Sequence, residues 1–91
     1  MYAVLVTAQI EPGREAEGEG RLHSEVVPAV RQVPGVVAAY WLEPVNGEGF
    51  SIVVFEDEQS ARAAAERIGD IPRPDFVSLG EPDLRRVVAN V

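Results

Sequence analysis

Three turn-forming dipeptides divide the 91-residue chain into short segments, and this division constrains the fold more than any other feature. Pro12-Gly13 and Pro34-Gly35 end regular structure, because proline lacks a backbone donor and glycine tolerates positive φ. Asn46-Gly47 is typical of a two-residue β-hairpin turn. The segments between these turns are therefore individual helices and short strands.

Side-chain periodicity assigns the segments before the hairpin turn. Tyr2–Ile10 alternates between a uniformly apolar set and a set that becomes polar along its length, which predicts a strand. Residues 14–33 carry an apolar stripe at helical spacing and predict a helix. Pro28 lies inside that stripe and should kink the helix or interrupt its hydrogen-bond ladder nearby. Residues 36–43 predict the second strand.

The same approach assigns the second half of the chain. Residues 50–55 predict a third strand, antiparallel to the second. Asp57 is suited to cap a second helix that ends before Gly69. Residues 70–82 contain three prolines and predict a loop, with a short apolar patch that can form an edge strand. Residues 84–91 predict the last strand.

The resulting order β-α-β-β-α-β predicts a ferredoxin-like α+β fold as a single domain over residues 1–91. Two helices cover one face of a four-stranded antiparallel sheet, and the other face stays open. Leu5, Trp41 and Val88 are expected on that open face. Because large apolar patches are rare on monomers, we expect two copies to pair through their sheets and form an α+β barrel across a homodimer.

Charge and composition exclude several classes of partner. The chain has 15 acidic residues and 8 basic ones, all arginine, for a net charge of -7. Such a surface disfavours nucleic acids and anionic membranes. With the many Ala, Val and Gly residues, the lack of lysine is typical of a high-GC bacterium. No cysteine and a single histidine argue against disulfides and a structural metal. The lack of a membrane-spanning run or a basic leader predicts a cytoplasmic protein.

Several segments resemble a known superfamily. They are Val-Val-Pro-Ala-Val at 26–30, Val-Pro-Gly-Val-Val at 33–37, Tyr-Trp-Leu at 40–42, and Ser-Ile-Val-Val-Phe-Glu at 51–56 before an alanine-rich helix. This pattern resembles the dimeric α+β barrel proteins, and within them small bacterial proteins near the antibiotic biosynthesis monooxygenase group. The resemblance implies a homodimer with a cavity for hydrophobic ligands. Some members oxidise aromatic polyketides without metal or flavin, some degrade haem, and many have no known activity.

Polar and aromatic residues on the strands form the candidate site. Arg86 and Asn90 are expected to share the open face and to converge there on Trp41, Thr7, Gln9 and Ser51. Such a site would suit an anionic or enolate-like ligand, although the same groups can instead form hydrogen bonds across the dimer interface. Tyr40 is adjacent to Trp41 and is expected to point to the opposite side of the strand. The residues expected to bind ligand are Trp41, Tyr40, Thr7, Gln9 and Ser51.

Two hypotheses of function follow. In the first, the chain is a cofactor-independent, monooxygenase-like enzyme that acts on a small hydrophobic or aromatic compound, with His23, Arg86 and Asn90 as catalytic residues. The ordinary pKa of histidine, about 6.5, would suit His23 for acid–base work if a cavity reaches it. His23 does not match a haem-ligating motif, so no cofactor is expected. In the second, the chain is a non-catalytic dimer that binds a small molecule or serves as an interaction module. We expect no metal site, because the acidic run at 56–58 is better explained as a helix cap.

Overall fold

A helical layer covers one face of an antiparallel sheet in the computed structural model, which describes residues 1–71 and 73–91. This is the ferredoxin-like α+β fold that the element order predicts. The elements in chain order are β1 (Tyr2–Ile10), α1 (Glu15–Arg21), a π-helical segment (Leu22–Val26), α2 (Val27–Arg31), β2 (Val36–Val45), β3 (Glu48–Phe55), α3 (Glu58–Glu66), a 3-10 turn (Ile68–Asp70), β4 (Val77–Leu79) and β5 (Asp83–Arg86).

The sheet contains five strands rather than the predicted four, because two short strands share one edge. β1 pairs with β3 on one side, while β4 and β5 both pair with its other side, and β2 lies beyond β3. The break between β4 and β5 falls at residues 80–82. Gly80 donates its N–H to the Thr7 carbonyl at 2.8 Å, and Pro82 has no N–H to continue the ladder. A Cβ on Gly80 would meet the Thr7 hydroxyl at 2.5 Å, so a larger residue there would require the Thr7 side chain to move.

The first helical region is one continuous rod with a π-helical segment in its middle. The Val27 N–H reaches the Leu22 carbonyl, five residues back. Pro28 explains the change of pitch, because it has no N–H and its ring clashes with the carbonyl four residues earlier. The predicted interruption near Pro28 is confirmed. We call α1, the π-helical segment and α2 together the helical rod.

Local turn and cap chemistry follows the predictions. Asn46 and Gly47 both have positive φ, 53° and 79°, as a primed hairpin turn requires. At the start of α3, the Asp57 carboxylate accepts a hydrogen bond from the Ser60 N–H at 2.7 Å. That backbone bond, supported by the Ser60 hydroxyl, holds the pKa of Asp57 below its usual range.

The core lies between the sheet and α3. Val4, Val6 and Phe55 on the sheet pack with Ala61 on α3, and all four are buried. Ala61 is fully buried, and its small side chain lets α3 lie close to the strands. The covered face of the sheet therefore carries the main apolar cluster of the protein.

The predicted last strand is too long. Strand pairing ends at Arg86, and Val87 makes the final backbone contact by donating its N–H to the Met1 carbonyl at 2.9 Å. None of residues 88–91 pairs with a strand in the described part of the chain, and Val88 is 80% exposed.

Candidate functional site

Strand register places Trp41 on the covered face of the sheet. Trp41 lies opposite Ser51, and Ser51 lies opposite Val6, which is buried under the helices. Directly opposed residues of antiparallel strands share a face. The expectation that Trp41 lies on the open face is therefore wrong. Tyr40, its neighbour on β2, is the residue on the open face, where it is 60% exposed.

A cavity of about 320 Å³ lies between this part of the sheet and the helical rod. Trp41, Ser51 and Val6 line it from the sheet, and Leu22 and Val26 line it from the π-helical segment. We call it the Trp41 cavity. Its walls are mostly apolar, and its volume is near the lower end of the range for small-molecule pockets, about 300–1,000 Å³.

Three charged residues that were not predicted from the sequence also line the Trp41 cavity. They are Glu19 on α1, Glu43 on β2 and Arg73 in the loop before β4. All three are exposed, so they stand at its rim. Glu43 follows Trp41 by two positions on the same strand, and Glu19 precedes Leu22 by one helical turn. The helical spacing would have identified Glu19, whereas the place of Glu43 depends on the register shift of β2 between Leu42 and Val45.

Ser51 on β3 contributes a hydroxyl to the wall of the cavity. It donates a long hydrogen bond, 3.4 Å, to the Val6 carbonyl across the strands. A ligand with a stronger acceptor can therefore compete for this hydroxyl at little cost.

The structure does not bring the predicted catalytic residues together within one chain. His23 is exposed on the helical rod, Asn90 is exposed beyond β5, and neither lines the Trp41 cavity. Arg86 lies opposite Tyr2, which puts it on the covered side rather than on the open face. The expected face of Arg86 is wrong because Arg85, one residue earlier, takes the open-face position opposite Ala3.

The predicted ligand residues are divided between the two faces. Trp41 and Ser51 line the cavity, whereas Thr7 lies on the open face, opposite Phe50. Gln9 lies on the open face as well, where its side-chain amide donates to the Glu48 carboxylate at 3.1 Å. The expected convergence of Trp41, Thr7, Gln9 and Ser51 on one face is therefore wrong for a single chain.

The open face is apolar across its centre. Tyr40, Leu42 and Val45 on β2 are 60%, 52% and 62% exposed. Tyr40 lies opposite Ile52 on β3, which in turn lies opposite Leu5 on β1. The central part of the open face comprises Ala38, Tyr40, Leu42, Phe50, Ile52, Val54, Ala3, Leu5 and Thr7.

Comparison with known proteins identifies the family. The model of the antibiotic biosynthesis monooxygenase family matches residues 1–67. This chain belongs to that family. No curated protein matches the sequence.

Two solved structures share the fold of this family member. A point mutant of MhuD, with two manganese protoporphyrin IX molecules bound per active site, superimposes with a TM-score of 0.68 at 23% identity, over 100% of this chain and 98% of that chain. The NE2512 protein of unknown function from Nitrosomonas europaea gives a TM-score of 0.67 at 20% identity, over 99% of this chain and 91% of that chain.

The porphyrin of the MhuD mutant raises the question of whether this cavity fits a haem. Haem iron is held by His, Cys, Met or Tyr side chains. Among the described residues, no side chain of these four types lines the Trp41 cavity. The residues of this chain therefore do not fit a haem whose iron takes a ligand from the cavity wall.

The described residues contain no group of three or more His, Cys, Asp or Glu side chains placed to hold a metal ion. Within the same residues, every helix is too short or too polar to cross a membrane.

Proposed function

We propose that this chain binds a small hydrophobic, preferably aromatic compound in the Trp41 cavity and oxygenates it with molecular oxygen, without a bound cofactor. The observation that carries the proposal is the cavity itself, a mostly apolar space with Trp41 in its wall and carboxylates at its rim. An aromatic wall suits a flat ligand. Membership of the monooxygenase family supports the choice of reaction.

The proposed chemistry needs a substrate with an acidic methylene group next to aromatic rings. A rim carboxylate, Glu43 or Glu19, removes one proton and leaves a carbanion stabilised by the rings. The carbanion gives its electrons to oxygen. One oxygen atom becomes the carbonyl of the product, and the other leaves as water with both methylene hydrogens. Apolar walls exclude bulk water and favour the reaction of the carbanion with oxygen.

We further propose that the working form is a homodimer joined through the open faces. The exposed apolar side chains of Tyr40, Leu42 and Val45 would otherwise remain in contact with water. A second copy offers the same apolar surface, and a two-fold axis through the open face would make the contact self-complementary. The Trp41 cavity lies on the other side of the sheet and stays accessible. The cytoplasmic location and bacterial origin of the chain remain predictions from its sequence.

One observation favours a second candidate, a small-molecule-binding dimer without catalysis. His23, Arg86 and Asn90 do not line the Trp41 cavity. If neither rim glutamate acts as a base, the cavity retains the apolar walls for binding and loses the means to activate the ligand.

Oxygen uptake with a hydroxyanthrone tests the first candidate, because its methylene group lies between two aromatic rings and is acidic. We expect the protein to consume one oxygen molecule per anthrone, faster than the protein-free reaction. If Glu43 is the base, Glu43→Gln should slow turnover by about 10²–10⁴-fold. Glu56→Gln is the matched control, since Glu56 is also exposed but does not line the cavity.

The fluorescence of Trp41, the only tryptophan in the chain, separates the two candidates. Saturable quenching by the anthrone without faster oxygen uptake would support the binding module and contradict the enzyme. Full turnover in Glu43→Gln, Glu19→Gln and the double variant would contradict the role of the rim carboxylates.

A further inference from the structure

A second cavity, of about 540 Å³, lies between α2 and α3 on the covered side of the sheet. Val4 and Phe55 form its floor, Val33 lines it just beyond α2, and Ala63 lines it from α3. We call it the α2–α3 cavity. It is larger than the first cavity and similarly apolar at its base, so it can hold an alkyl chain or an aryl ring.

Among the described residues, two glutamates and Arg73 line the first cavity, whereas the charged lining of the α2–α3 cavity is a single cation. Arg67 is the one charged residue among the described residues that line it. Within the described chain, Arg67 forms no ion pair, whereas Arg14, Arg21, Arg62 and Arg85 each pair with a nearby carboxylate. On a chain with a net charge of -7, a cavity whose only charged lining residue in the described part of the chain is an unpaired cation is complementary to an anion.

The other polar groups of the cavity are neutral. Gln32 follows α2, and Gln59 and Ser60 lie in the first turn of α3, at the opposite end of that helix from Arg67. An anionic group would therefore pair with Arg67, because no other lining side chain carries a positive charge. The guanidinium binds a carboxylate through two parallel hydrogen bonds when geometry allows.

We propose that the α2–α3 cavity is a second ligand site, for an amphiphile with one carboxylate. Its apolar part lies over Phe55 and Val33, and its carboxylate pairs with Arg67. The site lies on the opposite side of the sheet from Tyr40, so the proposed dimer contact leaves it accessible. It does not depend on the oxygenase chemistry proposed for the first cavity.

The two cavities are neighbours. Both are lined by Val30 on α2, Val53 on β3, Ile68 and Ile71. These four side chains form a shared apolar wall. A ligand in the α2–α3 cavity thus contacts the wall of the Trp41 cavity without entering it.

Calorimetric titration with octanoate and 1-octanol tests this proposal on the whole chain, because the two probes share a chain length and differ in charge. We expect the wild type to bind octanoate saturably and more tightly than 1-octanol. Arg67→Gln should weaken octanoate about 10- to 100-fold and leave 1-octanol unchanged. Arg31→Gln is the matched control, since Arg31 is exposed, also forms no ion pair within the described chain and lines neither cavity.

Two-dimensional ¹H–¹⁵N NMR spectra of the chain locate the bound probe. Octanoate should shift the backbone amides of Val33 and Ala63 before the indole N–H of Trp41, and Ala63→Leu should weaken both probes by filling the cavity. Equal octanoate affinity in Arg67→Gln and Arg31→Gln would overturn the proposal and leave Arg67 as a favourable charge at the end of α3. The proposal would also be overturned if the Trp41 indole N–H signal shifted before the amides of Val33 and Ala63, because octanoate would then bind in the first cavity.

Discussion

The two faces of the sheet are built from the same strands but end in different surroundings. On the covered face, Val4 and Phe55 are 3% and 2% exposed beneath the helices. On the open face, Tyr40 and Leu42 are 60% and 52% exposed. Both faces are apolar at their centres, so both need a cover, and the helices of one chain supply only one. Both cavities therefore lie on the covered side of the sheet, whereas the open side is suited to a second copy.

The largest effect should come from removing an aromatic ring on the covered face. Phe55→Ala leaves a hole in the core and should lower the free energy of unfolding by about 3–5 kcal/mol. Tyr40→Ala on the open face removes a ring of similar size that is largely exposed in one chain. The decrease in the free energy of unfolding should be smaller for Tyr40→Ala and should grow with protein concentration, because this substitution weakens the dimer. Urea unfolding at several protein concentrations measures the free energy of unfolding of both variants. Equal decreases that do not depend on protein concentration would contradict the difference between the two faces.

The next effect concerns pairing. Tyr40→Asp places two carboxylates near each other across the proposed two-fold axis and should raise the dimer dissociation constant by at least about 30-fold. Ala16→Asp adds the same charge on the exposed surface of α1 and should leave it unchanged. Analytical ultracentrifugation gives both constants. A dimer that tolerates Tyr40→Asp as well as Ala16→Asp would move the interface away from the open face.

The smallest effect concerns the cap of α3, the helix that covers the core. The pKa of Asp57 is lowered in the folded chain by the Ser60 N–H. The ionised carboxylate therefore contributes its full stabilisation of the fold above its ordinary pKa of 3.8, and this stabilisation is lost as the pH falls through the lowered pKa. Asp57→Ala should lower the melting temperature at pH 7, and by less at pH 2. Asp57→Asn should keep the cap and lose this pH dependence, because asparagine caps about as well. Thermal unfolding by circular dichroism at both pH values measures the difference, and an equal loss in Asp57→Ala at both would contradict the role of the charge.

The features that sequence predicted well are local ones. The helical interruption before Pro28, the Asn46-Gly47 turn and the Asp57 cap each depend on a few neighbouring residues, and the structure contains all three. The family membership was also recognised, since its motifs lie along the matched region.

The features that sequence missed depend on pairing between distant strands. β2 is apolar on both sides, so alternation alone did not decide whether Trp41 or Tyr40 faces the helices. The face of Arg86 depended on the register of β5 against β1, and the close approach of Gly80 to Thr7 depends on the pairing of that edge with β1. Glu43 was missed for the same reason, because its place at the cavity depends on the register shift of β2 after Leu42.

Native mass spectrometry of the freshly purified chain at micromolar concentration tests whether a second copy covers the open face. We expect a dimer for the wild type and a monomer for Tyr40→Asp at the same concentration. A wild-type monomer would contradict this expectation and leave the apolar centre of the open face without the cover proposed here.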